Sequence, residues 1–104
     1  MSRDEAAIEA ELQAKGLNAP RLSPADIDAN ITDTEFVKFV SKSGQVLRWA
    51  VLTTKSGFAV TGKPSVSVSA ENDDAAIGED VAYKNARGEL WPLMGYALKE
   101  RLST

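Results

Sequence analysis

Three apolar runs separated by two short turns constrain the fold of this chain more than any other feature. The runs are "TEFVKFV", "QVLRWAVLTT" and "FAVTGKPSVSVS", and the turns "SKSG" and "KSG" each end in glycine. Short glycine-containing turns between runs rich in β-branched and aromatic residues are typical of antiparallel hairpins. The third run is expected to bend or bulge at Gly62 and Pro64. The sequence therefore predicts a three-stranded meander with strands near 34–40, 45–54 and 58–68.

Helices are predicted on both sides of these strands. Residues 3–15 carry the charges of a solvated helix, with Ser2 as the N-cap and Gly16 as the stop. The apolar side of this helix is thin, so it either packs on its own subunit or docks on a neighbouring one. After a linker at 17–24, Ser23 followed by proline predicts a short helix near 24–30.

The last third of the chain has helical spacing. Asn72 is predicted to cap a helix, with Ser69 as the competing cap, and Pro92 is predicted to break the helix after Trp91. A final helix is expected at about 92–102. Small residues recur on one stripe and predict a close approach to the sheet or to another helix. These residues are Ala75, Gly78, Ala82 and Ala86.

The fold class is therefore predicted as α+β. A three-stranded or slightly larger antiparallel meander sheet packs against two C-terminal helices, and an N-terminal helix is added to this core. The 104 residues allow one domain, 1–104, in which 1–19 form the N-terminal helix and linker and 20–104 form the α+β core.

Composition excludes several kinds of chemistry. The chain has no cysteine and no histidine, which removes His-based nucleophile systems, thiolate or imidazole metal sites and the usual neutral-pH proton shuttle. The net charge of −3 does not favour binding to DNA or RNA. No run approaches the roughly 20 apolar residues of a membrane span. We therefore expect a soluble, intracellular protein that is not an enzyme and needs no cofactor or metal.

The stretch "GFAVTGKPS" comes close to a phosphate-binding loop, because Gly57, Gly62 and Lys63 fit the pattern G-x-x-x-x-G-K-[ST]. Pro64 stands where that pattern needs a hydroxyl, and strand formers fill the interval. The strand-like "SVSVS" follows where a helix should begin. A hairpin strand with a glycine bend is the better interpretation.

Other candidate residues also have ordinary structural interpretations. The acidic side chains at 73, 74, 79 and 80 are expected at the start of a helix and on its solvent-exposed face. Trp49, Trp91, Phe58, Tyr83 and Tyr96 are each typical of a core, although they are also able to stack on a planar ligand. Arg48 points away from Trp49 across the strand. It lies either on an open sheet face or in a pocket where it meets an anion.

Two segments, "KSGFAVTGKPS" and "AENDDAAIGEDVAYKNARGELWPLMGYALKERL", resemble a family of small proteins from tailed phages and prophages. The family pattern runs N-G-F-x-V-T-G-x-S, E-N-F-D-x-x-I-G, A-x-x-N-A and L-W-x-L-x-G-Y-x-L-K. The likeness covers roughly residues 20–102. Asp73 departs from the family pattern, which has an aromatic residue at this position. If that ring stacks on a ligand in relatives, the ligand of this chain is expected to differ. The matching residues are Gly57, Phe58, Val60, Thr61, Gly62, Ser65, Glu71, Asn72, Asp74, Ile77, Gly78, Ala82, Asn85, Ala86, Leu90, Trp91, Leu93, Gly95, Tyr96, Leu98 and Lys99.

Some members of this family look like phage anti-Thoeris sponges. The resemblance implies a non-catalytic homo-oligomer, a dimer or a hexamer, in the host bacterial cytoplasm. It would bind and hide a nucleotide-derived immune signal, either a cyclic ADP-ribose isomer or a cyclic oligonucleotide. Aromatic, cationic and amide side chains are what such a pocket needs. The predicted ligand-binding residues are Arg48, Phe58, Thr61, Lys63, Asn72 and Lys84.

Two other functions stay open at the level of sequence. The chain could be a protein-interaction factor that binds or inhibits a host protein through its helical face. It could also be an enzyme acting on a nucleotide. This possibility rests only on the similarity of "GFAVTGKPS" to a phosphate-binding loop.

Overall fold

The computed structural model describes residues 4–17 and 19–104 and confirms the α+β class. Two short helices precede the sheet, and two longer helices follow it. A 3-10 turn at Ala70–Asn72 leads into the second pair of helices. The elements are α1 (Glu5–Ala14), α2 (Pro24–Asn30), β1 (Ile31–Val40), β2 (Val46–Thr54), β3 (Ala59–Thr61), β4 (Ser65–Ser67), α3 (Ala75–Gly88) and α4 (Leu90–Leu102).

The sheet is an antiparallel meander with β2 at its centre, as predicted. β1 pairs along one side of β2, with Phe36 opposite Ala50. The predicted third strand is divided into β3 and β4, which both pair with the other side of β2. The break falls at residues 62–64, where a glycine and a proline interrupt the strand.

One face of the sheet is covered by α3. The even-numbered residues of β2 are buried on this face, whereas the odd-numbered ones are only half-buried. The small-residue stripe allows the close packing, because Ala82 and Ala86 are fully buried against the sheet. Leu52, Ile27 and Leu90 are the largest side chains of the core cluster.

The opposite face of the sheet, which we call the open face, is apolar. Directly opposed residues of antiparallel strands share a face, and the register places side chains from β1, β2 and β4 together. The helices that contact the sheet lie on the other face. The apolar side chains of the open face are Val37, Phe39, Leu47, Trp49, Val51 and Val66.

Helix starts follow local capping chemistry. Ser23 and Asp26 form a capping box at α2, and the hydrogen bond from the Ser23 backbone N–H lowers the pKa of the Asp26 carboxyl. The Asp4 carboxylate caps α1 by accepting a hydrogen bond from the Ala6 backbone N–H; the predicted cap, Ser2, lies outside the described residues. The stop predicted at Gly16 is confirmed by its positive φ of 69°.

Two predicted helix starts are wrong. Asp74, not Asn72, caps α3, because its carboxylate accepts a hydrogen bond from the Ile77 backbone N–H while Asn72 still belongs to the 3-10 turn. The final helix begins at Leu90 instead of residue 92. Pro92 falls within its first turn, where the missing N–H removes no helical hydrogen bond.

α3 and α4 follow each other through a single residue, Glu89, which is itself in the right-handed helical region. The molecule is consequently long and thin, with extents of 51 × 30 × 18 Å. Its radius of gyration is 16.6 Å, against about 13 Å for a compact chain of this length. Within residues 4–17 and 19–104, no helix has the length and apolar character to cross a membrane.

Candidate functional site

A groove of ligand size lies between α1, α2 and the junction of α3 with α4. Its volume is about 870 Å³, within the range of small-molecule sites. The wall from α1 contributes Ile8 and Leu12, which are half-buried apolar side chains. The opposite wall contributes two aromatic rings and two cations, namely Tyr83, Trp91, Lys84 and Arg87.

Arg87 is the centre of the polar network in this groove. Its guanidinium donates from Nη1 to Glu5 Oε2 and from Nε to Asp28 Oδ1, both at 2.7 Å. Its Nη2 also donates to the Pro24 carbonyl oxygen, at 3.4 Å. The two carboxylates raise the pKa of Arg87 further above its usual range, so it is positively charged at every working pH. Arg87 therefore ties α1, α2 and α3 together.

The aromatic rings of the groove flank Arg87 at helical spacing. Tyr83, Arg87 and Trp91 recur every four residues along α3 and the start of α4, and all three face the groove. Trp91 Nε1 donates to Glu5 Oε2 at 3.3 Å, so one carboxylate of α1 bonds both an indole and a guanidinium. Aromatic faces beside a guanidinium are suited to a planar base with a nearby anionic group.

α1 gives the groove its negative charge. Five carboxylates line the groove against two cations, and three of these carboxylates belong to Asp4, Glu5 and Glu9. Without them, two carboxylates would face two cations. Glu9 is held by a bidentate pair with Arg21, at 2.7 and 2.9 Å, which lowers the pKa of the Glu9 carboxyl. Of these three carboxylates, Glu5 pairs with a cation of the groove, because it accepts from Arg87 where an anionic ligand would bind.

Arg48 is buried under α3, where it meets an anion of its own chain. Its Nη2 pairs with Asp73 Oδ2, and Ser67 Oγ donates to the other oxygen of that carboxylate at 3.1 Å. The Arg48 guanidinium lowers the pKa of the Asp73 carboxyl. Asp73, the departure from the family pattern, is therefore a structural counterion. Arg48 Nε is buried, has no hydrogen-bond partner among the described residues, and faces Gly78.

The predicted ligand-binding residues are distributed over three places. Lys84 lines the groove and pairs with Asp80 at 2.9 Å, and both side chains are exposed. Arg48 lies under α3. The remaining four lie elsewhere along the sheet and its connections; they are Phe58, Thr61, Lys63 and Asn72.

Phe58 and Asn72 lie at opposite ends of β2. Phe58 lies beside Thr54, whose backbone N–H donates to the Phe58 carbonyl oxygen. Asn72 lies towards the Val46 end, because the next residue, Asp73, accepts a hydrogen bond from Ser67, which is paired with Val46 in the sheet. The nine residues from Val46 to Thr54 are separated by eight steps and span roughly 26 Å of strand. One protomer therefore does not bring the predicted residues to a single cleft, and their roles in ligand binding stay predictions.

The stretch "GFAVTGKPS" packs against α3 and is not followed by a helix. A Cβ on Gly62 would meet the Asn85 backbone carbonyl at 2.5 Å, so the glycine is required by close backbone packing. Asn85 Nδ2 also donates to the Lys63 carbonyl oxygen at 3.0 Å. The Thr61 hydroxyl donates to the Ala50 carbonyl oxygen at 2.8 Å. The phosphate-loop interpretation is excluded by this geometry, as the sequence indicated.

Arg87 was not predicted as a site residue, and Tyr83 and Trp91 were predicted as core residues that are also able to stack on a planar ligand. The available signal was their four-residue spacing. All three residues precede the break predicted at Pro92, so this spacing was sufficient to place them on one helical face.

The fold and the groove together define a small α+β protein with a ligand-sized site walled by aromatic and cationic side chains. Among residues 4–17 and 19–104, no group of three or more acidic side chains is arranged to hold a metal ion. Residues 22–102 match the model of the phage protein (N4 Gp49/phage Sf6 gene 66) family, and the chain belongs to that family. No curated protein and no solved structure matches the chain. The family match begins after α1.

Proposed function

We propose that this phage-family protein binds and sequesters a nucleotide-derived signalling molecule, a cyclic ADP-ribose isomer or a cyclic oligonucleotide, and so counteracts bacterial anti-phage immunity. The observation that carries the proposal is the groove, whose volume suits a nucleotide-sized ligand and whose α3–α4 wall sets Tyr83 and Trp91 beside Arg87. Family membership agrees with a phage protein, and the resemblance to phage sponges supports this class of ligand.

Each part of the proposed ligand has a matching group in the groove. The base stacks on Tyr83 or Trp91, since aromatic faces accept any base. A phosphate bonds Arg87 in place of a carboxylate of α1, and Lys84 turns from Asp80 to a second phosphate. Sequestration requires no proton transfer, which suits a chain without histidine or cysteine.

The test is isothermal titration calorimetry with a panel of cyclic dinucleotides, cyclic trinucleotides and cyclic ADP-ribose isomers. At least one ligand is expected to bind the wild-type chain, and Lys84→Gln is expected to weaken it by about tenfold through loss of one phosphate contact. Lys42→Gln, in the exposed turn between β1 and β2, is the matched control and is expected to bind like the wild type. Ligand recovered after denaturation of the protein should be chemically intact.

Two results would overturn the proposal. One is the absence of binding across the whole panel by a correctly folded protein. The other is a ligand whose affinity is unchanged in both Lys84→Gln and Tyr83→Ala, since such a ligand does not use the groove.

A further inference from the structure

The open face of the sheet is an apolar surface without a partner in the described parts of the chain. Val37, Phe39 and Val66 are 50%, 57% and 53% exposed, and Trp49 lies half-buried between them on the central strand. A sheet with one bare apolar face is expected to bury that face against another layer. Isolated exposed apolar residues are ordinary, but this set is contiguous across three strands.

The amount of surface indicates how large the missing partner contact is. The accessible surface of the protomer is 7107 Å², whereas a compact monomer of 11.2 kDa exposes roughly 5,700 Å². The excess is roughly 1,400 Å², of which α1 accounts for part. A standard protein–protein interface buries about 800 Å² on each partner, and obligate homodimers bury more. The excess is thus enough for a stable dimer contact.

The charges on the open face favour a second copy as the partner. Lys38 and Arg48 point to the other side of the sheet, so the part of the open face formed by Val37, Phe39 and Leu47 carries no charge. The acidic residues of this face, Asp33 and Glu35, lie in the first half of β1, where Glu35 is opposite Val51. A two-fold axis perpendicular to the strands would place the two acidic halves on opposite sides of the axis and bring the uncharged apolar parts into contact. This uneven distribution of charge along β1 is compatible with pairing of two copies.

We infer that the open face is the homodimer interface, through which two copies of the chain pack as a two-layer sandwich of sheets. Aligned sheets pack about 10 Å apart, with side chains from both inner faces interdigitating. The two copies of Trp49 would lie near the two-fold axis and be buried by the contact. This inference does not depend on the proposed ligand, because the groove lies on the helical side of the sheet.

β1 offers a matched pair of variants for the test. Val37 and Val40 are 50% and 51% exposed on the same strand, but they point to opposite faces. Sedimentation equilibrium of the full chain should show a dimer, or an even-numbered assembly built from dimers. Val37→Lys should raise the dimer dissociation constant by at least about 100-fold, because it buries two charges in the interface. Val40→Lys should leave it unchanged.

Tryptophan fluorescence gives an independent readout. In a Trp91→Phe background only Trp49 emits, since the chain has two tryptophans. Its emission should shift to longer wavelength on dilution of the Val40→Lys protein, whereas the Val37→Lys protein should show the shifted emission at all concentrations.

Three outcomes would overturn the inference. The first is a wild-type chain that stays monomeric up to its solubility limit. The second is a Val40→Lys variant that dissociates as readily as Val37→Lys, which would indicate pairing through the edge of β1. The third is a monomeric chain that recruits an unrelated host protein to the open face. If circular dichroism shows that Val37→Lys is unfolded, Val37→Ala must weaken the dimer more than Val40→Ala does.

Discussion

Gly62 lies so close to the backbone of α3 that any side chain there would force the strand and the helix apart. A Cβ would come within 2.5 Å of Asn85 and 2.7 Å of the Ala86 nitrogen. Gly62→Ala is therefore expected to lower the free energy of unfolding by about 1–3 kcal/mol in denaturant titrations. Gly88→Ala is the control, since a Cβ on that helical glycine would meet nothing within 4 Å. It should stabilise the protein by about 0.5–1 kcal/mol. Equal effects of the two substitutions would contradict this account.

The carboxylate of Asp73 is the counterion of a buried arginine, so its removal leaves Arg48 with an unpaired charge under α3. Asp73→Asn is expected to lower the melting temperature at pH 7 by about 5 °C or more. Asp80→Asn, which breaks an exposed pair with Lys84, should change it little.

The effect of Asp73→Asn should also depend on pH. The pKa of the Asp73 carboxyl is lowered in the folded protein, so the ionised carboxylate stabilises the fold above the unfolded pKa of about 3.9. This stabilisation is lost as the pH falls through the lower folded pKa. The difference in melting temperature between the wild type and Asp73→Asn should consequently be constant near neutral pH and shrink below about pH 4. A difference that persists in acid would show that the ion pair is not its cause.

At the scale of elements, α1 forms an acidic wall of the groove. It contributes no residue to the buried core, and Glu5 and Glu9 connect it to Arg87, Trp91 and Arg21. Removing residues 1–16 should therefore leave the core folded. It should also raise the affinity for inorganic pyrophosphate, an anionic probe, by about tenfold or more, because three carboxylates leave the groove. Titration calorimetry measures this change.

Glu5→Gln should reproduce part of the gain, since it frees Arg87 from one of its two carboxylates. Glu100→Gln, on an exposed part of α4 away from the groove, should produce none. If the truncated chain binds pyrophosphate no better than the full chain, α1 does not compete with anions.

Elements with local signals were predictable from the sequence, and those determined by longer-range packing were not. The capping box at Ser23, the turn glycines and the strand break after Thr61 all act within a few residues. The start of α4 was misplaced because Pro92 was interpreted as a break, although the first turn of a helix accepts it. The groove requires α1 to pack across the junction of α3 and α4, and nothing in the periodicity of residues 3–15 indicates that contact.

The shape of the whole molecule agrees with a subunit better than with a compact monomer. If two sheets pack through the open face, folding is coupled to association, and stability depends on protein concentration. The melting temperature of the wild type is expected to rise by a few degrees for each tenfold increase in concentration. Val40→Lys should behave in the same way, whereas Val37→Lys should melt at one temperature throughout. Differential scanning fluorimetry over a dilution series measures this, and a concentration-independent wild type would count against the dimer.

The alternation along β2 has a consequence for mutational tolerance. Its even-numbered residues face α3, and its odd-numbered residues face the surface assigned to a second copy. In a saturation library scored for folded protein in dilute conditions, polar substitutions at Leu47, Trp49 and Val51 should be accepted far more often than at Ala50 and Leu52. When the same library is scored at high protein concentration, polar substitutions should be rejected at both the even-numbered and the odd-numbered positions. Neither face of this nine-residue strand would then tolerate polar substitutions.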